Sequence, residues 1–276
     1  ALPLLKEALQ TFAGVLRGIE FAVGGGKTAL CLLTDKRPSE KQRGALWALS
    51  EALSSGWLLS WKTGNREEPL YEGQGGLSYW LDDFAVEMPF SVGSFTQVNA
   101  ELNNVMVRRA VDMLSLQRGE RVVDLFCGLG NFTLPLATRA RQVLGVEGVN
   151  ALVERGRRNA QANRQVLRAA PGKGGVQFRM ANLFEFTTND WHAFGGVDRL
   201  LIDPPRDGAL AVARVLAALP VAARPARMVY VSCNPATLAR DLGLMVHEGH
   251  WTVEKAGVAN MFPHTGHVES IALLTR

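Results

Sequence analysis

The sequence contains no apolar run approaching the roughly 20 residues that a bilayer span requires. Its first residues also lack the charged, apolar and small-residue order of a secretory signal. The expectation is a cytoplasmic protein with no membrane partner. Cysteine is scarce: Cys31, Cys127 and Cys233 lie far apart, so by themselves they build neither a disulfide framework nor a metal cage, and reduced thiols are expected. His264 and His267 have no third ligand nearby, which makes a poor metal site, and no metal is expected. Internal repeats and low-complexity tracts are absent. What is present is a 276-residue chain with 47% hydrophobic residues, enough for one large domain or one and a half. A net charge of +4 and a pI near 9.2 are compatible with a polyanionic partner but are shared by many ordinary enzymes. The chain opens at Ala1 rather than Met and runs straight into the helical pattern LPLLKEALQTF, which suggests a piece of something longer.

After that helix, GIEFAVGG and KTALCLLTD are strand-like runs joined by a turn at Gly24 to Gly26, the pattern of a hairpin. Ser39 and Gln42 stand at capping-box spacing before the helical GALWALSEAL, and the strand-like WLLSWKT follows. GNREEPLYEGQGG is the one long loop-like stretch, and LSYWLDD and FAVEMPFSV carry strands to about Gly93. Residues 1–92 are thus expected to form a small α+β domain. From Asn99, Leu102, Val105, Met106, Ala110 and Met113 recur at helical spacing. Then RVVDLF, RQVLGVEG, VQFRMAN, RLLIDPP and RMVYVSC alternate with helical stretches such as NALVERGRRNAQAN and ALAVARVLAALP. That alternation predicts an α/β, Rossmann-like, doubly wound parallel sheet over residues 93–276. The two final strand-like runs, WTVEKAGVAN and HVESIALLTR, have no helix between them and predict an antiparallel pair.

RVVDLF runs directly into CGLGNFTLPLA, placing Gly128 and Gly130 at the turn where open α/β sheets bind ligands. Glu147 ends the next strand about 20 residues on, the usual distance for gripping ribose hydroxyls. A dinucleotide site would carry a third glycine where Thr133 stands, and Asp124 precedes the turn. Such a carboxylate suits a cationic, phosphate-free ligand such as a sulfonium better than a pyrophosphate, so S-adenosylmethionine is favoured over NAD. A tight turn with no ligand and a solvated Glu147 remain the plainer alternatives. Asp203 with Pro204 and Pro205 forms a stiff strand exit on the same predicted edge, with or without a ligand beside it. Cys233 lies just before Pro235 and a helix, where a thiol's pKa can be lowered, although a lone cysteine is more often a small buried hydrophobe. The arginines of NALVERGRRNAQANRQ could track RNA or simply form a solvated face.

Taken in order, SFTQVN, DLFCGLGNFT, GVEG, ANLF, DPPR, SCNPATLARD and FPHTGHVES make the chain resemble the bacterial RNA 5-methyluridine methyltransferases, and within them the 23S ribosomal RNA uracil-C5 branch. The resemblance covers almost the whole chain. It implies that Gln97, Phe126, Asn131, Glu147, Asn182 and Asp203 hold S-adenosylmethionine, joining the Gly128 of the loop as cofactor-binding residues, that Cys233 is the nucleophile and that Glu269 is the base. It further implies an RNA partner, 23S rRNA first, with tRNA or another 23S position as the alternative. Longer chains of this family carry an RNA-binding barrel and an iron-sulfur cluster on four cysteines ahead of the region seen here, and those cysteines are absent from this sequence. Two rivals stay open: a methyltransferase of proteins or small molecules with a structural Cys233, and an RNA-binding module without catalysis.

Overall fold

A computed structural model of the chain describes residues 2–53, 55–71, 75–94, 96–97, 99–170, 175–261, 264–265 and 268–276. It divides into two compact units, one of residues 1–80 with 88–96 and one of residues 81–87 with 97–276.

In the smaller unit, α1 (Leu2–Gln10) precedes β1 (Leu16–Gly24) and β2 (Lys27–Thr34), then α2 (Glu40–Ala52), β3 (Trp57–Thr63) and β4 (Arg66–Pro69), with sheet order β1-β2-β3-β4. The β1–β2 hairpin turns on Gly25 and Gly26, both at positive φ. The predicted capping box is formed: Gln42 N–H donates to Ser39 Oγ, and Ser39 N–H donates to Gln42 Oε1 at 2.8 Å. Because α2 crosses over, β2 and β3 run parallel, and Phe12, Leu30, Leu32, Leu46 and Leu59 close the core beneath the helices. One expectation is corrected. The stretch read as loop contains β4, paired antiparallel with β3 around Gly64 at φ +59°. Its Arg-Glu-Glu sequence masks a strand because β4 is an edge, where polar side chains face water on both sides. β5 (Leu77–Leu81) and β6 (Val86–Phe90) pair with each other.

The larger unit runs α3 (Ala100–Leu114), β7 (Arg121–Leu125), α4 (Thr133–Ala137), β8 (Gln142–Glu147), α5 (Asn150–Ala162), α6 (Arg164–Ala169) and β9 (Gly175–Met180). It continues with α7 (Thr188–His192), β10 (Arg199–Ile202), α8 (Leu210–Ala218), β11 (Arg227–Ser232), α9 (Pro235–His247), β12 (Thr252–Ala259) and β13 (Glu269–Thr275). Its seven strands lie in the order β12-β13-β11-β10-β7-β8-β9. The five from β7 to β11 are mutually parallel, and β13 is antiparallel to both β11 and β12, as the sequence predicted. The four inner parallel strands, β7, β8, β10 and β11, are buried on both faces, with Val123, Leu125, Val146, Leu200, Ile202 and Tyr230 in one core, whereas the edge strand β9 is largely exposed. Strand order reverses between β7 and β10, which is where such sheets open a crevice at their carboxyl ends.

Along α3, the buried face differs from the apolar pattern. Val105 is exposed, whereas Asn103 is buried beside Met106, Val107 and Ala110. The reason lies in the glycine loop.

Candidate active site

The loop after β7 is built from unusual backbone. Phe126 has φ +62°, Gly128 +55° and Gly130 +97°. Positive φ at a phenylalanine is strained, and such strain persists only where the surroundings enforce it. Here the Cys127 amide donates to the Val146 carbonyl of β8 at 3.1 Å, and the Phe126 ring meets Phe184 edge-on at 5.6 Å. A Cβ built on Gly128 would meet nothing within 4 Å, so the backbone there faces open space. Glu147 is locked at the end of β8: its Oε2 accepts the Gly128 amide at 3.0 Å and its Oε1 the Val149 amide at 2.9 Å. Each oxygen keeps a lone pair for a further donor.

Asp124 lies beneath this loop rather than at its surface. It is fully buried, takes a 2.6 Å hydrogen bond from Thr133 Oγ1 on its Oδ2, and has no partner among the described residues for its Oδ1. Burial pushes its carboxyl up to about 7. Thr133, standing where a dinucleotide loop would have glycine, is thus the clamp that holds this acid. Asn131 pairs reciprocally with Asn103 through amide bonds of 3.0 and 3.1 Å, which accounts for the buried asparagine on α3. No sequence periodicity signals Asn103, because its polar character argues against burial until its partner is known.

Asn182 caps the short 3₁₀ turn Leu183–Glu185, accepting the Phe184 amide at 3.1 Å, and is exposed. Gln97 precedes α3; its Oε1 is buried and accepts no hydrogen bond among the described residues. Asp203 directly follows β10, with its amide donating to the Leu125 carbonyl at 3.2 Å, so it sits next to Phe126 where the strand order reverses. Its carboxyl is pushed up to about 8 by burial first, then by Glu269 and Asp124.

Cys233 follows β11, and Glu269 begins β13. The β11–β13 ladder ends with Ser232 paired to Ser270, which leaves Cys233 and Glu269 as the next residues on the two segments, near enough for the Glu269 charge to act on the Cys233 thiol. Glu269 is buried, 5% exposed, which raises its carboxyl above the ordinary value. Instead of the lowered pKa expected near a helix N-terminus, the Cys233 thiol is raised, by burial first and then by Glu269 and Asp203, with Arg206 as the opposing cation. The loop bearing Arg206 is tied to the start of α9, since its carbonyl accepts from Asn234 Nδ2 at 3.0 Å and Thr237 Oγ1 at 3.2 Å. Behind it, Asp241 is fully buried and accepts the Tyr230 hydroxyl and the Ala209 amide, both at 2.7 Å. Sequence reasoning named neither Arg206 nor this Tyr230–Asp241 support. His264 is exposed at φ +66°; His267, the other half of the weighed metal pair, lies outside the described residues, as do parts of SFTQVN and FPHTGHVES.

The edge therefore gathers three acids, Glu147, Asp203 and Glu269, above a fourth, Asp124, that is buried beneath the loop, and Gln97 Oε1 beside them accepts no hydrogen bond among the described residues. Such a donor-poor lining suits a ligand bearing positive charge and N–H or O–H donors, and repels a pyrophosphate.

A family model described as tRNA (Uracil-5-)-methyltransferase matches residues 81–276. The chain is 47% identical over 261 residues to a 23S rRNA (uracil(1939)-C(5))-methyltransferase, RlmD, of Burkholderia thailandensis, covering 94% of this chain and 55% of that protein. It is 46% identical to the RlmD of Ralstonia pickettii, over 94% and 57%. The chain thus spans about half the length of the curated relatives it matches. Among solved structures, the Pyrococcus abyssi tRNA (uracil-54, C5)-methyltransferase in complex with S-adenosyl-L-homocysteine superposes with a TM-score of 0.75 at 23% identity, over 99% of this chain and 66% of that one.

Proposed function

The chain belongs to the tRNA (uracil-5-)-methyltransferase family, and from that we propose that it methylates carbon 5 of a uridine in RNA, with 23S rRNA as the substrate class and the cytoplasm as its place of action. The observation that carries the reading is the meeting of a thiol, Cys233, and a buried carboxylate, Glu269, at adjacent register positions on the edge that also bears the glycine loop.

The donor-poor acidic lining fits S-adenosylmethionine, with Glu147, Asp203, Phe126, Gly128, Asn131, Asn182 and Gln97 as the residues that hold it. When bound, it supplies an electrophilic methyl group. The protein's own groups solve the remaining problem, which is that carbon 5 of uracil is a weak nucleophile. The Cys233 thiolate adds to carbon 6, forming a C–S bond and moving the C5–C6 π electrons onto carbon 5 as an enolate. Carbon 5 takes up the methyl group. Glu269, its carboxylate made more basic by burial, then accepts the carbon 5 proton; those C–H electrons rebuild the C5–C6 double bond as the C–S bond breaks and the thiolate leaves. A base stacked in RNA cannot reach both groups, so the target uridine leaves its stack.

The test is incubation with S-adenosylmethionine and a 23S rRNA hairpin carrying 5-fluorouridine, followed by denaturing mass analysis. Fluorine cannot leave as a proton, so the unaltered chain should retain a methylated covalent adduct and Cys233→Ala should not. An adduct of equal yield in Cys233→Ala, or no binding of S-adenosylmethionine, overturns the reading. Because the family description names tRNA while the curated relatives are named for 23S rRNA, a tRNA T-loop hairpin run in parallel decides between the two substrates.

A further inference from the structure

The chain's net charge of +4 is concentrated in one place. Residues 150–169, which span α5 and α6, hold Arg155, Arg157, Arg158, Arg164 and Arg168 against a single acid, Glu154, so this stretch accounts for the whole excess and the rest of the chain is balanced. Three of the five, Arg157, Arg164 and Arg168, border a concavity of about 510 Å³ formed by the second half of α5, by α6 and by the start of β9, where Gln161, Gln177 and Phe178 also line it. Arg157 is pre-set there: its Nη2 donates to the Phe178 carbonyl at 2.9 Å, and its Nη1 pairs with Glu154. Arg164 and Arg168 are exposed and form no ion pair among the described residues.

This concavity is separate from the candidate active site. β9 is the outer edge of the seven-stranded sheet, and the concavity meets it at its amino end, whereas Glu147, Asp203 and Cys233 all lie at carboxyl ends. The 13 residues of α5 lead from one region to the other, about 20 Å at the rise of an α-helix. Planar guanidinium forks match the oxygens of phosphate, and side-chain amides add neutral donors. An arginine-lined hollow opening on an exposed sheet edge therefore has the chemistry of a phosphodiester groove, placed for nucleotides flanking a base that is held at the carboxyl edge.

We propose that the Arg157–Arg164–Arg168 concavity binds backbone phosphates of the RNA substrate at a distance from the target uridine, an inference that rests on the reading of the chain as an RNA methyltransferase. The test compares the unaltered chain, Arg164→Ala/Arg168→Ala and Arg164→Lys/Arg168→Lys. RNA-hairpin affinity is measured against salt concentration, with S-adenosylmethionine binding and fluorouridine adduct formation followed alongside. The alanine pair should bind RNA about tenfold more weakly near 0.15 M salt, with a log–log salt slope shallower by about 1.4 for two lost contacts to a single strand. The lysine pair should keep most of the slope, and all three proteins should bind S-adenosylmethionine equally. An unaltered chain that forms the adduct while the alanine pair matches its RNA affinity and slope overturns this inference alone. An unaltered chain that neither binds RNA nor forms the adduct overturns the functional reading with it. Calorimetry with inorganic phosphate separates a small-anion site: saturable phosphate binding lost in the alanine pair, together with unchanged RNA affinity, overturns the RNA assignment.

Discussion

Ser232 at the end of β11 and Ser270 near the start of β13 face each other across an antiparallel pair, and that pairing brings together two residues 36 positions apart, Cys233 and Glu269. In a parallel sheet, the carboxyl end of one strand meets the carboxyl end of its neighbour. Reversal of β13 instead sets the beginning of the last strand against the end of β11, so a carboxylate from the chain's final residues, Glu269, reaches the edge of the glycine loop.

Loss of the Glu269 carboxylate should separate the two halves of the proposed reaction. Glu269→Gln is expected to lower kcat by about 10²–10⁴ and to accumulate a methylated covalent adduct on RNA with ordinary uridine, detectable by denaturing mass analysis. Turnover within a few-fold of the unaltered chain would remove Glu269 from this role.

The raised Cys233 thiol predicts reactivity that climbs with pH. Its alkylation rate by iodoacetamide should increase through neutrality, with a midpoint above the ordinary thiol value of 9.0. Asp203→Asn removes a nearby negative charge and should move the midpoint down; Arg206→Ala removes the opposing cation and should move it up. Cys31 and Cys127 are buried, and burial raises both thiols, which leaves Cys233 as the reporter. A rate already level at neutral pH contradicts the raised value.

Asp124 makes stability depend on pH in the direction opposite to a salt-bridged acid. Its carboxyl is raised from 3.8 to about 7 in the folded state, so folding favours the protonated form. Its stabilising contribution is complete below the unfolded value and is lost as pH rises through about 7. Asp124→Asn keeps the shape without the charge. In urea unfolding, the variant should gain on the unaltered chain between about pH 4 and 7, on the order of a few kcal/mol, and hold a constant advantage above that. Parallel pH curves for the two proteins would show that Asp124 is not the group responsible.

Two glycines at positive φ should fail in different ways. A Cβ on Gly208 would lie 2.7 Å from Arg240 Nη2, 2.7 Å from Asp241 Oδ2 and 2.9 Å from Thr237 Cβ, so Gly208→Ala should lower the melting temperature by several degrees, in line with roughly 1–3 kcal/mol of strain and crowding. Gly128→Ala meets no neighbour within 4 Å. It should melt closer to the unaltered chain yet lose S-adenosylmethionine affinity, because the methyl group enters the open space over the loop. Calorimetry and thermal melts on the same samples check both, and full cofactor affinity in Gly128→Ala would place the ligand elsewhere.

The alternation of strands and helices, the capping box at Ser39, a hairpin turning at Gly24 to Gly26, and the positions of DLFCGLG, DPPR and SCNP at strand ends were all legible in the chain. Each of these rests on periodicity, turn chemistry or capping among residues close in sequence, and such preferences act before any core exists. β4 escaped notice because an edge strand buries too little to show an apolar period. The burial of Asn103 waits on Asn131, and that of Asp241 on Tyr230. The raised carboxyls of Asp124 and Asp203 and the raised thiol of Cys233 come from desolvation and from charges supplied by distant segments. Concentration of the positive charge on α5 and α6 could be counted in the sequence; that three of those arginines border one hollow depended on β9 folding against them. Local conformational preference is written in neighbouring residues, whereas dielectric environment and long-range pairing exist only after the chain has packed.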